Sequence, residues 1–324
     1  MPHWTESDRT ALAWLLDSAN PSVRYLTLRR LLHGAESDPE VLAARRAIMA
    51  AGPAAQILAD QGPDGAWDGV VDGYSPMYGG TVWQMVFLAE LCADPADPRV
   101  RSGCERVLSA LRAADGSFPA TGKIYKKHDA ADMLCCDGQV AFALLRLGMG
   151  QDPRVQRAAE SVARSLTDGR GRCHYNAGLP CAWGVVKGLR ALAEIPDSER
   201  TQTVRDALYT GIEFVLGGDL STGAYPTKPN GKPSRQWAQF GFPRSYQTDA
   251  LEAMETLVLL GAARDSRLEP TLELIRKKRR PDGAWRLDFT LNRMRVPLET
   301  LRQPSRWITL RALTSLHAAG VDSR

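Results

Sequence analysis

Apolar residues recur at steps of three and four along most of this chain, which is the pattern of helices with one buried face. Five such amphipathic segments are each followed, after a loop, by a more uniformly apolar segment. No stretch shows sustained alternation of apolar and polar residues, so few strands are expected. The pattern predicts an all-α protein built from pairs of helices.

The first helix of each pair opens at Pro, Ser or Thr and has one apolar face. We predict these helices at 39–58 (broken by Gly52-Pro53), 98–111, 153–166, 201–216 and 266–275. The second helices are rich in Ala, Leu and Gly, which suits packing on several sides. We predict them at 81–91, 138–147, 181–192, 248–260 and 307–316, with a sixth pair formed by short helices at 10–16 and 24–32.

Two segments near opposite ends of the chain share the order Arg, aromatic, aliphatic, Thr, Leu, Arg, at 24–29 and 306–311. Each opens a helical pattern that ends at a glycine, and such a match indicates an internal repeat. Because both segments are predicted second helices, they can lie side by side and close a ring. We therefore predict a closed (α/α)6 toroid of about six hairpins in one domain, 1–324, with long loops at 62–80, 115–137 and 217–246.

Composition sets few limits on function. Hydrophobic residues make up 44% and charged residues 24%, as in ordinary globular proteins, and the net charge of +4 does not favour nucleic acid as a partner. No apolar run approaches the ~20 residues of a membrane-spanning helix, and no signal peptide is evident. The expectation is a cytoplasmic protein with its six cysteines reduced. The oligomeric state is not indicated.

The turns between paired helices carry a motif with a family resemblance. Gln61-Gly62-Pro63-Asp64-Gly65-Ala66-Trp67 fits Gln-x-x-x-Gly-x-Trp, and Asp282-Gly283-Ala284-Trp285 repeats it with Arg279 at the Gln position. The chain resembles the terpenoid cyclase and protein prenyltransferase α/α-toroid superfamily, as a single squalene cyclase-like toroid. The resemblance implies an enzyme that binds an isoprenoid-like or other apolar molecule in a central cavity.

Two chemistries of that superfamily can be compared with this sequence. Cyclases protonate an alkene with Asp-x-Asp-Asp, and of that motif only Asp137 is present, after Leu134-Cys135-Cys136. Prenyltransferases hold zinc with Asp, Cys and His, and here Cys135 falls near the Cys position while Met133 and Tyr246-Gln247 replace the others. The resemblance thus indicates Asp137 as a candidate acid.

Asp137 and Asp249 both fall at the starts of predicted second helices. One interpretation is an acid or base at the mouth of the cavity, and the other is a helix cap that also interacts with the helix dipole.

Arg24 and Arg306 would meet if the ring closes. They would then bind a diphosphate or carboxylate, or pair with acidic residues across the seam.

Basic residues also occur in two predicted loops, where they suit a diphosphate or form a solvated surface: Lys123, Lys126, Lys127, His128, Lys228, Lys232, Arg235 and Arg244.

Cysteine and histidine cluster at helix starts that share one rim. Zn²⁺ held by Cys135, Cys173, His174 and Cys181 is one interpretation, and small buried thiols are the other.

Aromatic residues gather at the predicted mouth, where they either shape an apolar ligand or cap the core. The candidates for substrate contact are Tyr78, Trp83, Trp183, Tyr246 and Trp307, with Tyr74, Tyr175, Trp237, Phe240 and Phe242 nearby. Three functions stay open: an enzyme acting on an apolar molecule, a zinc enzyme of different chemistry, and a non-catalytic binding or interaction toroid.

Overall fold

The computed structural model describes residues 4–17, 19–69, 71, 76–110, 116–118, 133–227 and 231–321. These residues are mostly helical and include two short strands, β1 (Trp285–Arg286) and β2 (Pro304–Ser305), which pair antiparallel. The helices are α1 Glu6–Leu15, α2 Pro21–Arg30, α3 Pro39–Ala51, α4 Pro53–Ala59, α5 Thr81–Glu90, α6 Pro98–Ala110, α7 Leu134–Leu144, α8 Pro153–Thr167, α9 Ala182–Leu192, α10 Gln202–Leu216, α11 Ala250–Leu259, α12 Glu269–Lys277 and α13 Arg306–Ala319.

The two predicted kinds of helix are confirmed. On α8 the buried residues follow steps of three and four from Val155 to Leu166, which leaves one face in water. On α5, by contrast, every residue is buried. The break at Gly52-Pro53 separates α3 from α4, whereas α7 starts at Leu134, one turn before the predicted start.

Three of the turns that follow first helices share one type of hydrogen bond. The indole N–H of Trp67 donates to the Ile57 carbonyl, and that of Trp285 donates to the Ile275 carbonyl, at 2.9 and 2.7 Å. The Tyr225 hydroxyl donates to the Val215 carbonyl at 2.9 Å. Each bond reaches back ten residues to the last turns of a helix, where carbonyls lack partners within the helix. The turn aromatics Trp67, Tyr225 and Trp285 therefore close helix ends.

The same turns join neighbouring helical pairs. The Gln61 amide donates to the carbonyls of Gly65 and of Arg99 in α6, at 3.0 and 2.9 Å. At the equivalent position, Arg279 donates to the Gly283 carbonyl and pairs with Asp8 of α1, at 3.1 and 2.8 Å. The turn after α12 is thus attached to α1 as the turn after α4 is attached to α6.

The two ends of the described chain also pack together, because α13 contacts α1 and α2 as well as α11. The Ser22 hydroxyl of α2 donates to the Leu91 carbonyl at the end of α5, at 2.7 Å. Within the described residues, no helix combines the length and apolar character that crossing a bilayer requires.

Candidate functional site

An apolar pocket of about 470 Å³ opens where α7 and α9 begin and where the chain enters α11. Two further stretches complete its wall, the loop before α9 and the loop between α10 and α11. The described lining residues are Met133, Cys135, Cys173, Tyr175, Asn176, Cys181, Ala182, Trp183, Gly223, Tyr225, Pro226, Thr227, Lys232, Pro233, Ser234, Trp237 and Tyr246.

Four aromatic side chains form two edge-to-face pairs in this wall. Trp183 and Tyr246 have ring centroids 6.4 Å apart, and Tyr225 and Trp237 have centroids 5.3 Å apart. The Trp237 indole N–H donates to the Leu220 carbonyl, so its ring is held from behind. Burial raises the pKa of the Tyr225 phenol, which stays neutral at pH 7. The wall is therefore uncharged, and its Tyr225–Trp237 half is anchored by hydrogen bonds.

Three thiols line the same pocket. Cys173 and Cys181 flank an antiparallel bridge between Arg172 and Pro180. Interaction with the Cys173 side chain, followed by burial, raises the pKa of the Cys181 thiol. The hydrogen bond with Cys136 and then burial raise the pKa of the Cys135 thiol. These two thiols are consequently protonated at neutral pH.

Polar groups are confined to the pocket's rim. The Asn176 amide donates to the carbonyls of Pro180 and Pro226, at 2.7 and 2.9 Å, and so joins the two loops that build the wall. Lys232 is exposed and has no carboxylate partner among the described residues. Because the described lining contains no Asp or Glu, the rim carries net positive charge.

Residues 239–246 lie in the space between the inner helices. Phe242 stacks on Trp307 with centroids 4.0 Å apart, and the Gln139 amide donates to the Arg244 carbonyl at 3.4 Å. Residues 239–246 therefore contact α13 and α7, and Tyr246 extends the contact to α9. The central cavity expected from the sequence is filled at this level, and the pocket lies beside the filling segment.

A chain of alternating buried charges crosses the same space farther along the helices. It runs Arg30–Glu255–Arg311–Glu90–Arg190–Glu252–Lys187, with N–O distances of 2.6, 3.2, 2.9, 2.5, 2.9 and 2.7 Å. Its members come from α2, α5, α9, α11 and α13. Lys187 lies one helical turn below Trp183, so this ionic chain begins about 6 Å beneath the aromatic wall.

These charged residues are not among the site residues predicted from the sequence. A signal was available, since each lies on a helix predicted to be buried on several sides. A charged residue in such a helix needs a partner of opposite sign. The pairing itself could not be read from the sequence, because Glu90 and Arg190 are a hundred residues apart.

Of the predicted substrate contacts, the structure brings Trp183 and Tyr246 together in the pocket. Tyr78 and Trp83 pack edge to face at 5.1 Å and are buried outside it. Trp307 is 1% exposed and covered by Phe242. Among the nearby candidates, Lys123, Lys126, Lys127, His128, Lys228 and Tyr74 lie outside the described residues.

Arg24 and Arg306 both lie at the seam between the chain ends and outside the pocket. Arg306 donates to the Trp14 carbonyl at 2.8 Å and pairs with Asp17 at 3.0 Å. Arg24 donates to the Leu16 carbonyl and lies 3.8 Å from Glu40. Arg306 thus pairs with an acidic residue across the seam, whereas both partners of Arg24 lie in the N-terminal part of the chain, and a ligand-binding role for the two arginines stays a prediction.

The two candidate carboxylates differ in their surroundings. Asp249 caps α11 by accepting the Glu252 N–H at 2.8 Å, and it forms a buried ion pair with Arg244. Asp137 is buried in the first turn of α7 and accepts the Phe118 N–H at 2.9 Å. Neither lines the pocket among its described residues, so a catalytic role for either stays a prediction.

Zinc binding also stays a prediction. Cys135, Cys173 and Cys181 line one pocket, as the shared rim predicted. His174, however, is exposed and packs against Tyr175 at 5.7 Å, and no described trio of His, Cys, Asp or Glu side chains is arranged to hold a metal ion.

Comparison with known proteins gives a likeness in fold. No family model and no curated protein matches the chain. It is similar to a polysaccharide lyase (TM-score 0.50, 13% identity, 97% of this chain and 89% of that one). It is also similar to the type II terpene cyclase MstE from Scytonema (0.48, 13%, 96% of each chain) and to a protein from Actinoplanes (0.47, 15%, 97% and 98%).

The solved structures that this chain resembles thus include one named as a type II terpene cyclase and one named as a polysaccharide lyase. At 13% identity the likeness concerns the fold, and neighbours named as a terpene cyclase and a lyase differ in reaction.

Proposed function

We propose that this chain binds a small apolar molecule with an anionic group in the aromatic pocket, and that it acts on that molecule as an enzyme. One observation carries the proposal. The pocket combines two aromatic pairs with an exposed, unpaired lysine, and its described lining contains no carboxylate. Such a surface attracts an apolar chain to the rings and a negative group to the rim.

The size of the pocket favours an isoprenoid-like ligand. Its volume of about 470 Å³ lies within the range of small-molecule sites, roughly 300–1,000 Å³. The faces of Trp183 and Tyr246 are suited to a flexible apolar chain and would also stabilise positive charge that develops on it. Lys232 suits a carboxylate or a diphosphate at the opposite end.

Calorimetric titration with farnesoate and with its neutral counterpart farnesol tests this binding. We expect both to bind, with farnesoate tighter by a few-fold, since an exposed ion pair contributes about 1 kcal/mol or less. Trp183→Ala should weaken both by tenfold or more, whereas Lys232→Ala should weaken only farnesoate. Tyr209→Ala is the matched control, because Tyr209 is 71% exposed on α10 outside the pocket. Equal affinities for wild type and Trp183→Ala would contradict the proposal.

For the chemical step we propose Asp137 as a general acid. Its position supports this role, because it is buried beside the two cysteines that open α7. Asp249 is the weaker candidate, since its oxygens already accept from Arg244, Gly241 and Glu252. Product analysis by mass spectrometry after incubation with farnesoate should show conversion by wild type and loss of conversion in Asp137→Asn with binding retained. Full conversion by Asp137→Asn would remove this role.

A zinc-dependent enzyme is the second candidate, favoured by the three thiols in the pocket wall. Zinc there would leave a coordination position open to substrate or water. Elemental mass spectrometry should then find about one zinc per chain in wild type and none in Cys181→Ser. Metal-free wild type would exclude this candidate.

We also propose that the helical pairs close as a ring of six hairpins. The attachment of the turn after α12 to α1 through Arg279 and Asp8 supports closure, because it repeats the attachment between Gln61 and α6. Disulfide trapping between α1 and α13 in a double-cysteine variant tests whether these helices stay in contact in solution.

A further inference from the structure

The two thiols Cys173 and Cys181 differ from the other cysteines in their geometry. Both have extended backbones, and the Arg172–Pro180 bridge lies between them. In an antiparallel pair, residues one position from a bridge lie on the opposite face from the bridged residues. Cys173 and Cys181 are each one position away, so both side chains project from the same face, and that face forms part of the pocket wall.

The loop between them is held in a closed conformation. The Cys173 N–H donates to the Leu179 carbonyl at 3.0 Å, and the Cys181 N–H donates to the Gly171 carbonyl at 2.8 Å. Ala177 and Gly178 have left-handed backbone angles, with φ of +54° and +77°, and these reverse the chain. The two thiols are therefore diagonal neighbours on one face of the bridge, and they are not bonded to each other.

We propose that Cys173 and Cys181 form a reversible dithiol–disulfide site that reacts with small disulfides entering the pocket. The thiols are already adjacent, and the pocket gives a small molecule access to them. Diagonal neighbours have Cα atoms roughly 7–8 Å apart and a disulfide needs about 4.4–6.8 Å, so closing the bond requires the backbone of residues 173–181 to draw the two cysteines slightly together.

The exchange proceeds in two steps that balance. One cysteine first loses its proton to solvent, and its thiolate attacks a sulfur of the small disulfide, forms a mixed disulfide and releases the first small thiolate, which takes up a proton. The second cysteine then attacks the mixed disulfide, forms the Cys173–Cys181 bond and releases the second small thiol with the second proton. The protein is oxidised and the small disulfide is reduced.

Peptide mass reports this bond directly. Trypsin cuts after Arg172 and Lys187, so one peptide, 173–187, contains both cysteines. Cys135 and Cys136 lie in another peptide, 128–146. Full-length protein, treated with EDTA to remove any metal and then with oxidised glutathione, is alkylated and digested.

We expect neither cysteine of peptide 173–187 to be alkylated, and the peptide to be lighter by two hydrogens than its reduced, unalkylated form. Treatment with dithiothreitol should restore the alkylation of both cysteines. Cys173→Ser and Cys181→Ser should each trap glutathione on the remaining cysteine, whereas Cys135→Ser should leave the internal bond unaffected. Complete alkylation of the wild-type peptide, or a cross-link between 173–187 and 128–146, would overturn the inference. The peptide masses do not depend on farnesoate binding, so this inference and the proposed function fail separately.

Discussion

Replacing Glu90 with glutamine tests how much the buried ionic chain stabilises the fold. Glu90 is buried on α5 and pairs with Arg190 at 2.5 Å and with Arg311 at 2.9 Å. Glutamine preserves the shape of the side chain but removes its charge. Two guanidinium groups would then lose a carboxylate partner in a region without water to replace it.

The pKa of Glu90 gives the size of this effect. Burial acts to raise the pKa, but attraction to Arg190 and Arg311 outweighs burial and lowers it from 4.5 to about 2. A fall of this size corresponds to roughly 3 kcal/mol in favour of the charged form, at 1.36 kcal/mol for each pKa unit. Breaking a buried ion pair typically costs about 3–5 kcal/mol, which agrees. We therefore expect Glu90→Gln to lower the free energy of unfolding by about 3 kcal/mol at pH 7.

Urea unfolding followed by far-UV circular dichroism measures this difference. Glu213→Gln is the matched control, because Glu213 pairs with Arg267 at 3.0 Å on the exposed face of α10, and its replacement should change stability little. A loss below about 1 kcal/mol for Glu90→Gln, the size typical of exposed pairs, would refute the reasoning.

The same residue predicts a dependence on pH. The pKa of Glu90 is lower in the folded protein than in the unfolded chain, so its contribution is complete above pH 4.5 and is lost as the pH falls towards about 2. The difference in unfolding free energy between wild type and Glu90→Gln should consequently narrow below pH 4.5. A difference that widens on acidification would contradict this assignment.

Two further substitutions test individual contacts by thermal unfolding. Asp249→Ala removes both the cap of α11 and the partner of buried Arg244, and we expect a loss of about 3 kcal/mol or more. Asp249→Asn, which keeps an acceptor for the cap but loses the charge, should cost less, and equal losses would contradict the contribution of the cap. Gly65→Ala places a Cβ 2.8 Å from the Ser102 carbonyl, whereas Gly261→Ala, at a similar φ near +80°, meets no atom within 4 Å. Gly65→Ala should therefore cost at least about 1 kcal/mol more, and equal costs would contradict tight packing of the turn on α6.

Periodicity alone predicted most of the architecture. The first helices show one apolar face because their other face meets water, and the second helices are apolar throughout because they are surrounded by other helices. The motif at 61–67 was also informative. Its Trp67 donates a hydrogen bond to the end of the preceding helix, and the turns after α10 and α12 contain the same type of contact. The start of α7 was less predictable, because helix ends depend on local contacts that a sequence pattern does not contain.

The candidate site was predicted in part. The helical repeat predicts which helix starts are neighbours. The pocket therefore brings together residues near those starts, namely Trp183, Tyr246 and the three thiols. The filling of the central space by residues 239–246 was not predictable, since their positions depend on packing against helices distant in sequence. Arg306 shows the same limit, because its partner Asp17 lies 289 residues away.

The most direct test of the central claim is to map where a ligand binds. A farnesoate analogue with a photoreactive benzophenone group is cross-linked to the protein, and the labelled tryptic peptides are identified by mass spectrometry. Our account predicts labelling of peptide 173–187, which contains Trp183, and of peptide 236–244, which contains Trp237, with competition by unmodified farnesoate. Labelling confined to peptides outside the pocket, such as 268–276 or 303–306, would contradict it.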